Sequence, residues 1–139
     1  ILTGGACHLD ARQVDAALVE EGDRLRGLDV LFIENVGNLI CPTSYDLGED
    51  FKIVLLSTAE GDDKPFKYPA IFSKAKVTVL TKVDLLPHVD FDVAKCIAYA
   101  RRVNPGIDVL QLSATRGDDI DAWLDWLRQP VAEVHTVAP

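Results

Sequence analysis

Residues 76–84 read KVTVLTKVD, and residues 107–115 read IDVLQLSAT. Each is a short apolar run, Lys76–Leu80 and Ile107–Leu112, that ends in a polar motif. Runs of this length and composition suit strands buried on both faces. Between them Asp90 or Asp92 is placed to cap a helix bearing Val93, Cys96, Ile97 and Ala100 on one face, and Asn104-Pro105-Gly106 ends it. Strand, helix and strand in this order make one parallel βαβ unit, with the two polar motifs about thirty residues apart. Upstream, Leu28–Ile33 and Phe51–Leu56 are two more runs of the buried-strand kind. Asp10 is an N-cap for a helix through about Leu25, with Val14, Ala17 and Leu18 on one face and Gly27 as its stop. Residues 35–50 and 58–69 have loop composition, and the second loop leads into a short helix ending near Lys74. Downstream, Asp118 or Asp119 caps a last helix with Ile120, Trp123, Leu124 and Leu127 at i, i+3, i+4 and i+7. On that spacing Trp123 is core, and Trp126 lies off the main apolar face, available to a partner or to a segment absent from this chain. Strands alternating with helices imply an α/β fold with a doubly wound parallel sheet.

The bulk numbers narrow the function. The 139 residues are 48% hydrophobic and 26% charged, enough for one domain with a real core. The net charge of -8 argues against a nucleic-acid footprint and against an anionic membrane surface. No apolar run reaches the ~20 residues of a spanning helix, and no secretory signal opens the chain. Three cysteines without tight spacing make no disulfide framework, so a reducing cytoplasmic setting is expected. No methionine occurs, and Ile-Leu-Thr-Gly-Gly reads as the end of a strand entering a turn. The chain is therefore expected to be an internal piece of a longer protein.

Ligands of parallel sheets sit at the carboxyl ends of the strands. Glu34–Gly37 (ENVG), Thr81–Asp84 (TKVD) and Ser113–Thr115 (SAT) are all expected there. Guanine presents N1–H and a 2-amino group on one edge. The carboxylate of Asp84 accepts both, whereas adenine would leave it partly unpaired, a costly state in a buried site. The stem of Lys82 suits the face of the base, and the backbone N–H of Ala114 suits guanine O6. Glu34 stands where an acid would hold Mg²⁺, and Gly37 where a backbone N–H would meet a γ-phosphate. No G-x-x-x-x-G-K-[ST] loop occurs in the chain. Nothing here then cradles the α and β phosphates, so these residues alone are not expected to hydrolyse GTP.

Two thiols and an imidazole make a second constellation. Cys7 and His8 precede the first helix, whose dipole favours a thiolate. Cys41 follows the ENVG element by four residues. This soft donor set suits Zn²⁺ or Ni²⁺. Three ligands leave a tetrahedral site one short, to be filled by water or by a second copy across a two-fold axis. Cys96, on the core face of its helix, reads as a small hydrophobe. His88 reads as a surface or capping residue, and His135 lies in the tail. Arg116-Gly117-Asp118 is a strand-to-helix turn.

The stretches TGGACHLDA (3–11), FIENVGNLICPTSYDLGE (32–49), EGDDKPFKYPAIF (60–72), TKVDLLPHVDFD (81–92) and NPGIDVLQLSATRGDDIDAWLDWL (104–127) resemble the hydrogenase nickel-incorporation GTPases, the HypB family. The resemblance implies a P-loop NTPase-like fold, here incomplete because the P-loop strand and the first switch are absent. Residues 1–139 would then be a single partial GTPase domain, roughly its C-terminal two-thirds, with residues 130–139 as a loose tail. It implies a cytoplasmic GTPase-type maturation factor that delivers nickel to [NiFe]-hydrogenase precursors. The implied cofactors are GTP or GDP, Mg²⁺, and Ni²⁺ or Zn²⁺. By motif match Lys82, Asp84, Ser113, Ala114 and Thr115 would bind nucleotide, and Glu34 and Gly37 would form the Mg²⁺ and γ-phosphate switch. Cys7, His8 and Cys41 would hold metal at a homodimer interface. The implied partners are hydrogenase maturation proteins and the hydrogenase large-subunit precursor. A urease-type nickel GTPase is the nearest alternative, and Thr43 after Cys41-Pro42, where that group carries His, counts against it. A truncated, non-catalytic metal-binding module is the alternative of a different class.

Overall fold

The computed structural model describes residues 8–35 and 37–129. The chain divides into two compact units, residues 1–49 and 50–139, and each is described by itself.

The second unit is built on a parallel sheet of three strands, β1 (Lys52–Ser57), β2 (Ala75–Thr81) and β3 (Asp108–Leu112), in the order β1-β2-β3. β2 is central, and Val77, Thr78, Val79 and Leu80 are all buried. Its near-continuous apolar run is what two covered faces require. On one face Val77, Val79 and Leu112 pack with Trp126 of α6 (Ile120–Leu127). The alternate residues Val54, Leu56 and Leu80 are also buried. The helices α3 (Lys64–Lys67) and α4 (Pro69–Lys74) precede β2, α4 packs on β1 and β2, and α5 (Val93–Val103) packs on both helices.

Local chemistry sets the ends of these elements. Asp92 caps α5 by accepting from the Lys95 N–H at 2.9 Å. After the helix, the Asn104 amide donates to the carbonyls of Phe72 and Ala75, at 3.2 and 2.9 Å, and so ties the end of α5 to the start of β2. The loop before α3 is tied as well: Asp62 accepts from the Asp92 N–H at 3.1 Å and from the Lys95 ammonium at 3.0 Å.

The last helix corrects one expectation. Trp126 is the buried tryptophan, its indole N–H donating to Asp108 at 2.8 Å, its ring edge-on to Phe51 and stacked with Trp123. Leu124 is exposed. The row 120, 123, 126 along i+3 faces the sheet, because a hydrogen-bonded indole buries more area there than a leucine.

The first unit holds α1 (Ala11–Glu20) and a single turn α2 (Gly22–Leu25). Asp10 and Gln13 form a reciprocal capping box, and Val14 is buried. The helix breaks at Glu21, and the chain turns at Gly27 with φ of 88°. The expected strand at residues 28–33 does not form: Leu28, Val30, Leu31 and Phe32 are exposed, without strand pairing among the described residues. Apolar composition alone cannot hold a strand, since its peptide groups need a ladder partner. Among the described residues no helix is long and apolar enough to cross a membrane.

Candidate functional site

In the second unit the carboxyl ends of the strands carry the polar motifs. Thr81 of β2 pairs with Leu112 of β3, so the loops beginning at Lys82 and Ser113 leave the sheet side by side. Lys82 adopts the left-handed conformation, φ 60° and ψ 38°. That region costs a residue with a Cβ about 1–2 kcal/mol, and strain of this kind persists only where neighbours hold it. A 3₁₀ turn, Val83–His88, follows and packs against β3. It places Asp84 half-buried in its first turn, with Lys82 exposed beside it and His88 exposed at its end. The Leu85 N–H closes the turn by donating to the Lys82 carbonyl at 2.9 Å.

The loop after β3 is equally defined. Ser113 is fully buried, its N–H donating to the Asp118 carbonyl at 3.1 Å and its carbonyl accepting from the Gly117 N–H at 2.8 Å. Its hydroxyl accepts from the Arg116 N–H at 3.2 Å. Gly117 supplies the positive φ, 81°, that this tight return needs. Arg116 and Asp118 form an ion pair across it at 3.3 Å. Ala114 and Thr115 are left exposed at the tip. Chemically, a half-buried carboxylate, a long aliphatic stem and an exposed backbone turn thus follow the carboxyl ends of two paired strands.

Two residues beside these motifs escape a motif reading. Thr58, read above as loop, is 1% exposed. Its N–H donates to the Thr81 carbonyl at 3.1 Å and its hydroxyl to the Lys82 carbonyl at 2.8 Å. The available signal was its position directly after an apolar run, as with Thr81 and Ser113. The other is Asn38, whose side-chain oxygen accepts from the N–H groups of Ile40 and Cys41 at 3.0 and 2.7 Å.

Asn38 belongs to the first unit, where Cys41 opens a 3₁₀ turn, Cys41–Ser44, and is half-buried. Thr43 of that turn is buried and donates to the Leu39 carbonyl. The His8 ring stacks on Tyr45 at 3.9 Å and 18°, which fixes the plane of the imidazole. The Leu9 N–H donates to the Asn35 side chain at 2.9 Å. Glu34 and Gly37 are exposed and, contrary to expectation, no strand precedes them among the described residues. Cys7 lies outside the described residues, as do Val36, His135 and residues 130–139. Among the described residues no three His, Cys, Asp or Glu side chains cluster to hold an ion. The thiol of Cys41 and the imidazole of His8 fit a soft metal by donor chemistry. Cys96 does not: it is buried on α5, and burial, with the negative charge of Asp62, pushes its thiol up to about 11.

Residues 1–111 match the family described as CobW/HypB/UreG, nucleotide-binding domain. The chain is 55% identical over 129 residues to the hydrogenase maturation factor HypB of Azotobacter vinelandii, an alignment covering 93% of this chain and 42% of that protein. It thus spans less than half the length of that curated relative. Among solved structures it is similar to HypB from Helicobacter pylori in complex with nickel, with TM-score 0.92 and 34% identity, over 100% of this chain and 66% of that one. It is also similar to the hydrogenase maturation factor HypB from Archaeoglobus fulgidus, with TM-score 0.85 and 42% identity, over 93% of this chain and 67% of that one.

Proposed function

This chain belongs to the CobW/HypB/UreG family of nucleotide-binding domains, in its HypB hydrogenase maturation branch, and on that premise we propose that it is part of a GTP-dependent factor delivering nickel to [NiFe]-hydrogenase precursors. Residues 1–139 are part of one GTPase domain. Asp84 accepts N1–H and the 2-amino group of guanine. The Lys82 stem lies along the base, and the Ala114 N–H donates to O6, in a turn shaped by Ser113 and Thr115. What supports the reading most is that the two loops leave paired strands side by side at the carboxyl end of the sheet, with Lys82 held in a left-handed backbone where the first of them begins.

In this reading Glu34 holds Mg²⁺, and Gly37 donates its N–H to the γ-phosphate. Hydrolysis itself requires a phosphate-binding loop that these residues do not contain, so this chain by itself is inactive as a GTPase. Cys7, His8 and Cys41 take Ni²⁺ or Zn²⁺, completed by a second copy in a homodimer. Cys41 lies four residues from Gly37 on one segment, so a change at the γ-phosphate moves a metal ligand. The factor works in the cytoplasm with hydrogenase maturation proteins and the large-subunit precursor. The nickel complex of the Helicobacter pylori relative supports the metal assignment.

The base assignment is tested by Asp84→Asn in the full-length protein. Xanthine carries an acceptor where guanine carries its 2-amino donor, so an amide side chain should prefer it. Each hydrogen bond to a charged group is worth about 1.5–3 kcal/mol, so calorimetry should show preference moving from GDP to XDP by a factor of tens. Unchanged preference refutes the assignment.

A further inference from the structure

We propose that Thr58 is a positioning residue for base recognition: it holds Lys82 in its left-handed conformation and thereby sets where Asp84 meets the base. The proposal rests on the guanine reading above. Its ground is a coincidence of bonds. A left-handed non-glycine residue needs its surroundings to over-determine it. Lys82 is at φ 60° with no glycine to ease it, and it lies one residue past the end of the central strand.

Thr58 reaches this point from the neighbouring strand and bonds two consecutive carbonyls. Its backbone N–H takes that of Thr81 and extends the parallel ladder one step beyond the Ser57–Thr81 pair. Its hydroxyl takes that of Lys82 at 2.8 Å. The Leu85 N–H donates to the same Lys82 carbonyl at 2.9 Å. The Thr58 hydroxyl thus brings a side-chain hydrogen bond to a carbonyl that also takes a backbone one. The strained peptide is therefore gripped from β1 and from the turn that carries Asp84. Valine would fill the same space and leave the ladder bond, so packing alone does not call for a hydroxyl here. The bond it makes acts on the peptide between the two motif side chains.

The test uses the full-length protein and titrates GDP and IDP, which lacks the 2-amino group. Wild type should prefer GDP by a factor of tens, the worth of one hydrogen bond to a charged acceptor. Thr58→Val deletes the hydroxyl at equal volume. It should weaken GDP binding about three- to tenfold, the range for one neutral hydrogen bond, and weaken IDP less, so that the preference shrinks. Thr58→Ser keeps the donor and should restore the preference. A merely structural hydroxyl would lower thermal stability and leave the GDP to IDP ratio of the folded protein unchanged. That ratio, unchanged in Thr58→Val, overturns the proposal. If Thr58→Val does not fold, Thr58→Ala is read by the same ratio. Failure of both to fold also overturns it, since Thr58 would then hold the domain and not the loop. Asp84→Asn separates the two levels. No switch to XDP removes the guanine reading, whereas a switch with an unaltered ratio in Thr58→Val removes only the role of Thr58.

Discussion

Leu55 and Leu56 are adjacent in β1 and identical in type, yet the structure assigns them opposite energetics. Leu56 is 0% exposed and Leu55 is 64% exposed. Trimming either to alanine removes three carbons. At about 0.8 kcal/mol per buried CH₂-sized group the transfer loss at Leu56 is ~2.4 kcal/mol. The cavity left in a packed interior raises the expected cost to about 3–4 kcal/mol. At Leu55 roughly a third of the same transfer is at stake, ~0.8 kcal/mol, and no cavity forms because water already reaches the site. The two variants should therefore differ by about 2–3 kcal/mol, or ~10–20 °C in melting temperature for a unit of this size. Urea unfolding followed by tryptophan fluorescence measures this directly, because both tryptophans, Trp123 and Trp126, lie in α6 and report the second unit alone. The slope with urea should match wild type in both variants. Costs within ~0.5 kcal/mol of each other, inside the usual additivity error, would refute the described burial and leave the face of β1 under Leu55 covered.

Acid unfolding should depend on Asp62. Its carboxyl is held below the usual 3.8, first by the hydrogen bond from the Lys95 ammonium and then by the Asp92 N–H. A carboxylate with a depressed folded pKa adds stability that is complete above the unfolded value and is lost as pH falls through the folded one. Asp62→Asn should flatten the stability profile below about pH 5, as read by circular dichroism at stepped pH, and an unaltered profile would show that the pair with Lys95 carries no linkage. Nickel titration of the full-length protein separates the thiols. Cys41→Ala should lower affinity about tenfold or more and Asn38→Ala by less, as for a ligand and the group that orients it, while Cys96→Ala leaves affinity unchanged because that thiol is buried and protonated. Unchanged stoichiometry and affinity in Cys41→Ala would remove Cys41 from the metal site.

The elements that could be read from sequence were those whose local signals agreed with their surroundings. The runs at 76–80 and 107–112 became β2 and β3 because they are apolar and bounded by polar turns, and because each has a ladder partner beside it. Asp92 and Asp10 became caps because a short carboxylate before an apolar-periodic stretch has the first-turn N–H groups within reach. The run at 28–33 is as apolar as β2, yet Leu28, Val30, Leu31 and Phe32 are exposed, since composition states a demand for pairing and does not supply the partner. Trp126 was misplaced because a helix reading IDAWLDWL is apolar on more than one row, and the choice of row was made by Asp108 and Phe51, far away in sequence. Thr58 and Asn38 escape a motif reading for a related reason: their roles consist of hydrogen bonds to backbone groups, and the one trace in the sequence is the place of Thr58 directly after an apolar run.

Those two residues share a physical logic that links the motifs to their geometry. Lys82, Asp84 and Cys41 supply the chemistry, but a loop residue left to itself loses about 1–2 kcal/mol in backbone entropy when it is fixed. A net hydrogen bond returns about 1 kcal/mol. The two bonds that Asn38 takes, from Ile40 and Cys41, return about 2 kcal/mol, enough to offset the ordering of one or two residues where the turn opens at Cys41. Lys82 carries a further ~1–2 kcal/mol for its left-handed backbone, so its balance needs more. Three bonds meet there: Thr58 N–H to Thr81, Thr58 hydroxyl to Lys82, and Leu85 N–H to Lys82. Their ~3 kcal/mol about matches entropy and strain together, and without the hydroxyl the sum turns against the left-handed state. A loop poised this closely is rigid enough to orient Asp84 only while every bond is made, which is why the loss of a single oxygen from Thr58 should reach the base.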